Sequence, residues 1–293
     1  MSPVQVVWFK RDLRVADHQP LLQASRLGPV LPLVVVEPEM WRQGDASARQ
    51  WPFCAESLEE LRRDLAELGQ ALVVRTGIAE EVLERARDRR VARWAESHGI
   101  PWIEQPSAGV IRRMASRSAW ARRWEQRMAE PMAPPPQSLL PLEGLEAGAI
   151  PSASELALAP DPFPGRQLGG RLQELAVLES FLSGRGVRYH RELSSPRTAF
   201  ESCSRLSPHL AWGTLSLREV VQLSRRRRGV PLVFEARLHW HCHFIQKQEC
   251  QPDLEFRELH PSPPACAAAV RRGWRPGRKA APGCPLWMPA CGT

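Results

Sequence analysis

At 293 residues the chain is longer than one hydrophobic core comfortably serves, so two domains are expected. Its 43% apolar and 25% charged residues are those of a soluble globular protein, and its longest apolar run, VLPLVVV at 30–36, is the length of a strand and excludes a membrane span. The formal net charge of +8 is uneven, because residues 260–293 hold five basic residues and no acid, and the rest gathers in IRRMASRSAWARRWEQRM (111–128) and RRRR (225–228). Such clusters suit a polyanion or form the solvated face of a helix. The seven cysteines are odd in number and show no C-x-x-C spacing, which excludes a disulfide framework and a zinc ribbon. The N-terminal apolar stretch meets Lys10 and Arg11 too soon for a signal peptide, so a cytoplasmic location is expected, and a monomer is the expected state.

VQVVWF (4–9) reads as a buried strand, followed by a helix through Leu21 and Leu22 that Asp17 can cap. VLPLVVVEP is a second strand, apolar on both faces as in a parallel sheet. SLEELRRDLAELG carries leucines at 58, 61, 65 and 68, the spacing of a helix, and Gly69 stops it. QALVVRTG is a third strand, AEEVLERARDRRVARWAESHG a helix, and IPWIEQP (100–106) a fourth short strand. Alternation of apolar strands with helices predicts a doubly wound parallel-sheet α/β domain over 1–130. Residues 131–170, rich in Pro, Gly and small residues and lacking a sustained period, read as a long interdomain linker. From 171 to 259 the pattern is helical, in GRLQELAVLESFLSG, LSLREVVQLSRRRR and LVFEARLHWHCHFIQKQE.

EARLHWHCHFIQKQE (235–249) gathers His239, His241, Cys242 and His243 within five residues. His239 and His243 are four apart on a helix and can share a face, and Cys242 is three from His239. Zinc is one reading of these letters. Satisfied or ligand-side histidines are the other, and no fourth ligand stands at sensible spacing.

Four stretches, in order, resemble the DNA photolyase and cryptochrome family. VVWFKRDLRVADHQPLLQA (6–24) resembles the opening strand and R-D-L-R…D…L segment of that family. ESCSRLSPHLAWGTLS (201–216) resembles its S-R-L-S-P-x-L…G…S segment, with YHRELSSP (189–196) at the matching distance before it. ARLHWHCHFIQ (236–246) sits where the family has its L-x-W-x-x-F helix. The resemblance covers residues 4 to about 258 and implies an all-helical domain that holds a U-shaped FAD. It also implies an α/β domain able to hold an antenna chromophore, whose identity the sequence leaves unknown.

The activity so implied is that of a deoxyribodipyrimidine photolyase, a carbon–carbon lyase. Light excites reduced FAD, one electron passes to a pyrimidine dimer flipped out of DNA, the dimer splits and the electron returns. Residue by residue, Ser204, Arg205, Leu206 and Ser207 match the segment that wraps the flavin diphosphate. Cys203 stands where many relatives have Thr, and Tyr189 matches a flavin contact. Arg237, Trp240 and His241 match the helix between flavin and DNA lesion, with Trp240 stacking on the dimer, so the resemblance disfavours a metal at 239–243. A cryptochrome-like blue-light photoreceptor, a non-catalytic remnant and a flavin-independent nucleic-acid-binding module are the competing readings.

Two departures from the family are expected to matter. Where relatives have a further strand and loop, EEVLE (80–84) runs straight into RARDRRVARW (85–94), so the sheet has lost an internal strand or two helices have fused into one, and either way the strand order and the antenna site are compromised. After LEFRELHP the chain turns into a basic tail with seven prolines in 260–293, which forbids helix and reads either as a frameshift near residue 260 or as an ordinary disordered basic tail. The FAD-binding domain is then incomplete, with about half of the flavin cavity's walls missing.

Overall fold

The computed structural model describes residues 2–43, 46–77, 99–101, 103–105, 109–112, 117–227 and 232–255, together with Glu96 and Met114. The helix expected over 79–99 and the tail over 260–293 therefore lie outside the described residues, apart from Glu96 and Gly99.

Three parallel strands form the N-terminal sheet in the order β1 (Gln5–Phe9), β2 (Val30–Val36) and β3 (Val73–Thr76). The register pairs Val7 with Pro32 and Leu33 with Val73. The central strand β2 is apolar because both its faces are covered, with Val30, Leu33, Val34 and Val36 buried. β1 is the edge strand among the described residues, and there the expectation of full burial fails: Val7 and Phe9 face the core while Val6 is 55% exposed. The fourth strand expected at 100–106 is also absent among the described residues. Ile103 is 58% exposed and no ladder includes it.

Helix α1 (Gln19–Leu27) follows β1, a four-residue helix α2 (Pro38–Trp41) follows β2, and α3 (Gln50–Glu67) precedes β3. α3 starts earlier than its leucine period suggests, because Trp51 and Cys54 extend the face of Leu58, Leu61 and Leu65 by two turns. Gly69, at φ 94°, ends the chain's helical course as expected. The cap of α1 differs from expectation. His18, not Asp17, is the N-cap, and its Nδ1 accepts from the Leu21 N–H at 3.0 Å.

Residues 131–170 contain no helix or strand, in keeping with their Pro and Gly content, but they are packed onto the sheet domain. Leu139 and Leu156 enter its core, and the Trp51 indole donates to the Pro151 carbonyl at 3.1 Å. The Val74 N–H donates to the Ala147 carbonyl at 2.6 Å, so the segment follows the edge of β3.

The helical region has its own core. It is built from α4 (Trp120–Ala129), α5 (Arg171–Ser183), three short helices α6 (Tyr189–Glu192), α7 (Ala199–Ser202) and α8 (Ser207–Trp212), then α9 (Leu217–Arg226) and α10 (Leu232–Cys250). α4 contributes Trp120, Trp124 and Met128, spaced four apart on one face. α9 begins at a serine N-cap, where the Ser216 hydroxyl accepts from the Glu219 N–H at 3.0 Å. α10 buries Phe234, Leu238, Cys242 and Gln246, again four apart. Leu172, counted with the apolar period of α5, points away from this core and is 67% exposed.

Candidate functional site

Two of the recognised stretches meet each other. Asp12 accepts from the Nε2 of His18 at 2.9 Å, and because Nδ1 of that ring already accepts from Leu21, the proton sits on Nε2. Burial pushes the Asp12 carboxyl up, but His18 and Arg14 outweigh it and hold the group below the usual carboxylate range. Arg14 donates to the Gly213 carbonyl at 2.8 Å, and the Leu13 N–H to the Trp212 carbonyl at 3.1 Å. Asp17, with its backbone in the left-handed region at φ 48°, is the hub. Its carboxylate accepts from the Ala133 N–H at 2.9 Å, from the Ser216 hydroxyl at 2.5 Å and from both Nε and Nη2 of Arg218 at 3.1 and 2.7 Å. Gly213 is at φ 65°, and a Cβ there would lie 2.1 Å from the Arg11 carbonyl, so the close approach requires glycine. Trp212 stacks on Trp41 with centroids 5.4 Å apart, and the Arg11 guanidinium lies 5.0 Å above the Trp212 ring. This network joins the sheet domain to the helical region, and it uses groups within the resembling stretches, at 12–18, Gly213 and Ser216, together with Arg218 just beyond them.

The segment 203–207 is built differently. Arg205 lies in the left-handed region at φ 62°, with its guanidinium 4.1 Å above the Phe200 ring. Leu206 is buried and anchors the turn, and Ser207 opens α8 with Pro208 in its first turn. The carbonyls face inward: that of Cys203 accepts from Arg185 at 2.6 Å and that of Arg205 from Gln167 at 2.6 Å. The backbone N–H groups of Ser204, Arg205, Leu206 and Ser207 have no partner among the described residues. Four N–H donors and two hydroxyls next to the Arg185 and Arg205 cations can accept an anion. Cys203 adds little to this, since burial pushes its thiol up and Arg185 only partly opposes that.

Tyr189 and Arg237 stand near this turn. Burial, and after it Cys203, raises the Tyr189 hydroxyl, while Arg237 acts against them. The Tyr189 ring itself packs edge-on to Phe181 and Phe234, at 5.5 and 5.8 Å, within the helical core.

α10 separates the histidine cluster by face. His239 packs between Trp120 and Trp124 with centroids 4.7 and 4.9 Å away, and His243 meets Trp120 at 5.5 Å. Cys242 is fully buried, and its thiol is pushed up by that burial. His241 lies away from them, with a buried Nδ1 that lacks a partner among the described residues, and desolvation lowers its basicity. The described residues contain no group of three or more His, Cys, Asp or Glu placed to hold a metal. The opposite face presents Arg237, Trp240 and Phe244. Trp240 is 50% exposed, the Arg237 guanidinium lies 4.7 Å over its ring, and Phe244 is edge-on to it at 6.2 Å. The structure thus places Arg237 and Trp240 side by side at the surface and leaves His241 half-buried.

Sequence patterns did not point to three further features. Gln167 lies in the irregular segment and Arg185 in a Gly-flanked turn, where no periodicity marks a role. The third is a buried acid: Thr214 donates to Glu174 Oε2, and His209 Nδ1 lies 3.7 Å from the same oxygen. Burial pushes Glu174 up to about 8 and His209 down to about 4. Of the RRRR cluster, Arg225 and Arg227 are engaged in ion pairs at the surface. Arg225 pairs with Glu125 and Glu235, and Arg227 takes both oxygens of Glu179 at 2.8 and 2.7 Å.

Comparison with known proteins places these features in context. Residues 5–86 match the model of the DNA photolyase family. Two curated deoxyribodipyrimidine photo-lyases from Thermus thermophilus strains are 31% and 30% identical to the chain, over 78% and 96% of its length. The chain covers 56% and 70% of those proteins. Cryptochrome-1 of Arabidopsis thaliana is 28% identical over 75% of the chain and 37% of its own length. Among solved structures, a bacterial class III photolyase from Agrobacterium tumefaciens matches 92% of the chain and 66% of its own at a TM-score of 0.67 and 22% identity. A Synechocystis cryptochrome matches 88% and 64% at a TM-score of 0.68 and 22% identity.

Proposed function

The chain belongs to the DNA photolyase and cryptochrome family, and from that premise we propose that its helical region holds FAD by the diphosphate and serves light-dependent repair of pyrimidine dimers in DNA. The observation that carries the reading is the turn at Ser204–Ser207, whose four backbone N–H groups face no partner among the described residues. An anionic diphosphate satisfies such donors without desolvating them uselessly. Ser204 and Ser207 add hydroxyls, and Arg205 adds charge. Tyr189 and Cys203 border the same turn, Tyr189 through its position and Cys203 through its backbone. FAD, when bound and reduced, supplies the photoexcited electron that splits the dimer.

The protein's own part is to bind and orient. On the outer face of α10, Trp240 offers a half-exposed indole on which a flipped base can stack, and Arg237 holds that ring from one side. His241 lies next to them in sequence, and at neutral pH its lowered basicity makes it a hydrogen-bonding group rather than a charge for DNA phosphates. The expected division at 1–130, 131–170 and 171–259 is shifted in this reading, because α4 with Trp120, Trp124 and Met128 joins the helical core and Leu139 and Leu156 join the sheet core, while the sheet domain docks through Asp17 and Arg218.

A blue-light photoreceptor role is the second reading, favoured by the similarity to cryptochromes as well as photolyases. The test starts with a visible absorption spectrum after FAD reconstitution and desalting. A retained, structured flavin band supports the binding role, and repair of a dimer-containing oligonucleotide in light then distinguishes lyase from photoreceptor. A colourless protein refutes the flavin reading and leaves a non-catalytic remnant.

A further inference from the structure

We infer that Arg185 is a positioning residue for the diphosphate turn, a clamp that turns the carbonyls of Cys203 and Ser204 inward so that the N–H groups of Ser204–Ser207 face a ligand. The inference rests on the flavin reading above and names a residue that reading does not use. Arg185 sits in a turn between Gly184 and Gly186, directly after α5. Gly186 is buried, and a Cβ there would lie 2.7 Å from the Phe181 carbonyl, so the turn folds tightly back on α5 and aims the arginine at the neighbouring segment. All three nitrogens of the guanidinium are used. Nε donates to the Ser180 hydroxyl at 2.9 Å, Nη1 to the Cys203 carbonyl at 2.6 Å and Nη2 to the Val177 carbonyl at 3.1 Å, with the Ser204 carbonyl at a longer 3.5 Å.

Peptide geometry makes the consequence general. The carbonyl of residue 203 and the N–H of residue 204 belong to one planar unit and point in opposite directions. Fixing the carbonyls of 203 and 204 on one side therefore directs the N–H groups of Ser204 and Arg205 to the other. Gln167, which takes the Arg205 carbonyl at 2.6 Å, does the same for the Leu206 N–H. The strained left-handed backbone of Arg205, at φ 62°, is held by these two anchors. The clamp is also cationic and close enough to Arg205 to feel its charge, so the turn carries two positive charges. A side chain that only filled space would not need to be an arginine here, because all three guanidinium nitrogens donate hydrogen bonds.

The test compares the full chain with Arg185→Gln, Arg185→Lys and Ser180→Ala. Two readouts are taken: affinity for FAD, ADP and riboflavin, and hydrogen exchange of the amides at 203–207 without ligand. In R185Q, affinity for FAD and ADP is expected to fall at least about tenfold with riboflavin little changed, since hydrogen bonds to a charged group are lost. The 204–207 amides should exchange faster, R185K should recover part of both effects, and S180A should show a smaller version of each. A wild-type chain that binds FAD, with R185Q within about twofold of it and exchange unchanged, overturns the clamp alone. A wild-type chain that binds neither FAD nor ADP overturns the flavin reading and removes the clamp's ligand with it.

Discussion

The two family-like segments of this chain, 11–18 with 212–218 and 203–207 with α10, are built on opposite principles. In the first, the polar groups converge on each other. Asp17 alone accepts from a backbone N–H, a hydroxyl and a bidentate guanidinium. In the second, carbonyls are tied inward while N–H groups, an indole and a phenyl ring are left facing out. A motif alone does not say which kind of place it marks. Satisfied polar groups mark a joint that holds domains together, whereas oriented and unpaired ones mark a surface prepared for something else.

The sharpest way to break this comparison is to remove the hub of the joint. Asp17→Ala leaves the Arg218 guanidinium, the Ser216 hydroxyl and the Ala133 N–H without their buried acceptor. Stability should drop by about 3–5 kcal/mol in chemical denaturation, as for other broken buried pairs. Asp17→Asn keeps the left-handed backbone and one acceptor, so it should cost clearly less. A loss under about 1 kcal/mol for D17A would mean that the two regions do not depend on this contact.

Glycine 213 tests the same joint through shape alone. Alanine there must adopt φ 65° and place its Cβ on the Arg11 carbonyl. The left-handed strain plus the forced separation should cost about 2–4 kcal/mol. Thermal unfolding of Gly213→Ala beside an exposed control, Gly144→Ala, measures the difference. Gly144 is also left-handed but meets nothing within 4 Å, so the control isolates strain from collision.

The sequence made the sheet and the long helices readable, because burial imposes periods of two and 3.6 on apolar residues. Leu58, Leu61 and Leu65 announced α3, and the all-apolar VLPLVVV announced a central strand. What stayed hidden depends on contacts between residues far apart in the chain. Asp17 looked like a helix cap because capping is local, yet Arg218 is 201 positions away. IPWIEQP had the composition of a strand, but Ile103 is exposed and no ladder among the described residues includes it. The site residues 204–207 were legible only by resemblance, and Arg185, in a Gly-flanked turn, carries no pattern at all. The letters of the histidine cluster left zinc and core packing open, and helical spacing brings His239 and His243 to the Trp120 ring.

Between the joint and the open surface lies Glu174, and pH can single it out. Its folded value of about 8 exceeds the ordinary 4.5, so the folded state holds a proton that the unfolded state releases. Stability is then fully present below about pH 4.5 and declines as pH rises toward 8. His209, depressed from 6.5 to about 4, works the other way, adding stability as pH rises from 4 to 6.5. The two oppose each other over most of the acid range and separate above pH 6.5, where only Glu174 still titrates. Denaturation midpoints from pH 6.5 to 8 should therefore fall by an amount on the order of 1–2 kcal/mol. Glu174→Gln, which keeps the Thr214 acceptor without the ionisation, should flatten that slope. A slope that survives in E174Q would assign the effect to another group.

The smallest stability effect is expected where the proposed function is most exposed. Trp240 and Trp124 are both large indoles of the helical region, but Trp124 is 1% exposed in the helical core and Trp240 is 50% exposed on the outer face of α10. Trp124→Ala should cost about 3–5 kcal/mol through lost burial and the cavity it leaves. Trp240→Ala removes an indole held by one guanidinium and one ring edge, and stability should change by no more than about 0.5 kcal/mol. If that indole serves a flipped base, the same substitution should lower the preference for dimer-containing over undamaged DNA without shifting the unfolding curve, because stacking acts only on the bound lesion. A Trp240→Ala chain that loses several kcal/mol would make the residue part of the core, and one that keeps both its stability and its lesion preference would take Trp240 out of the recognition face.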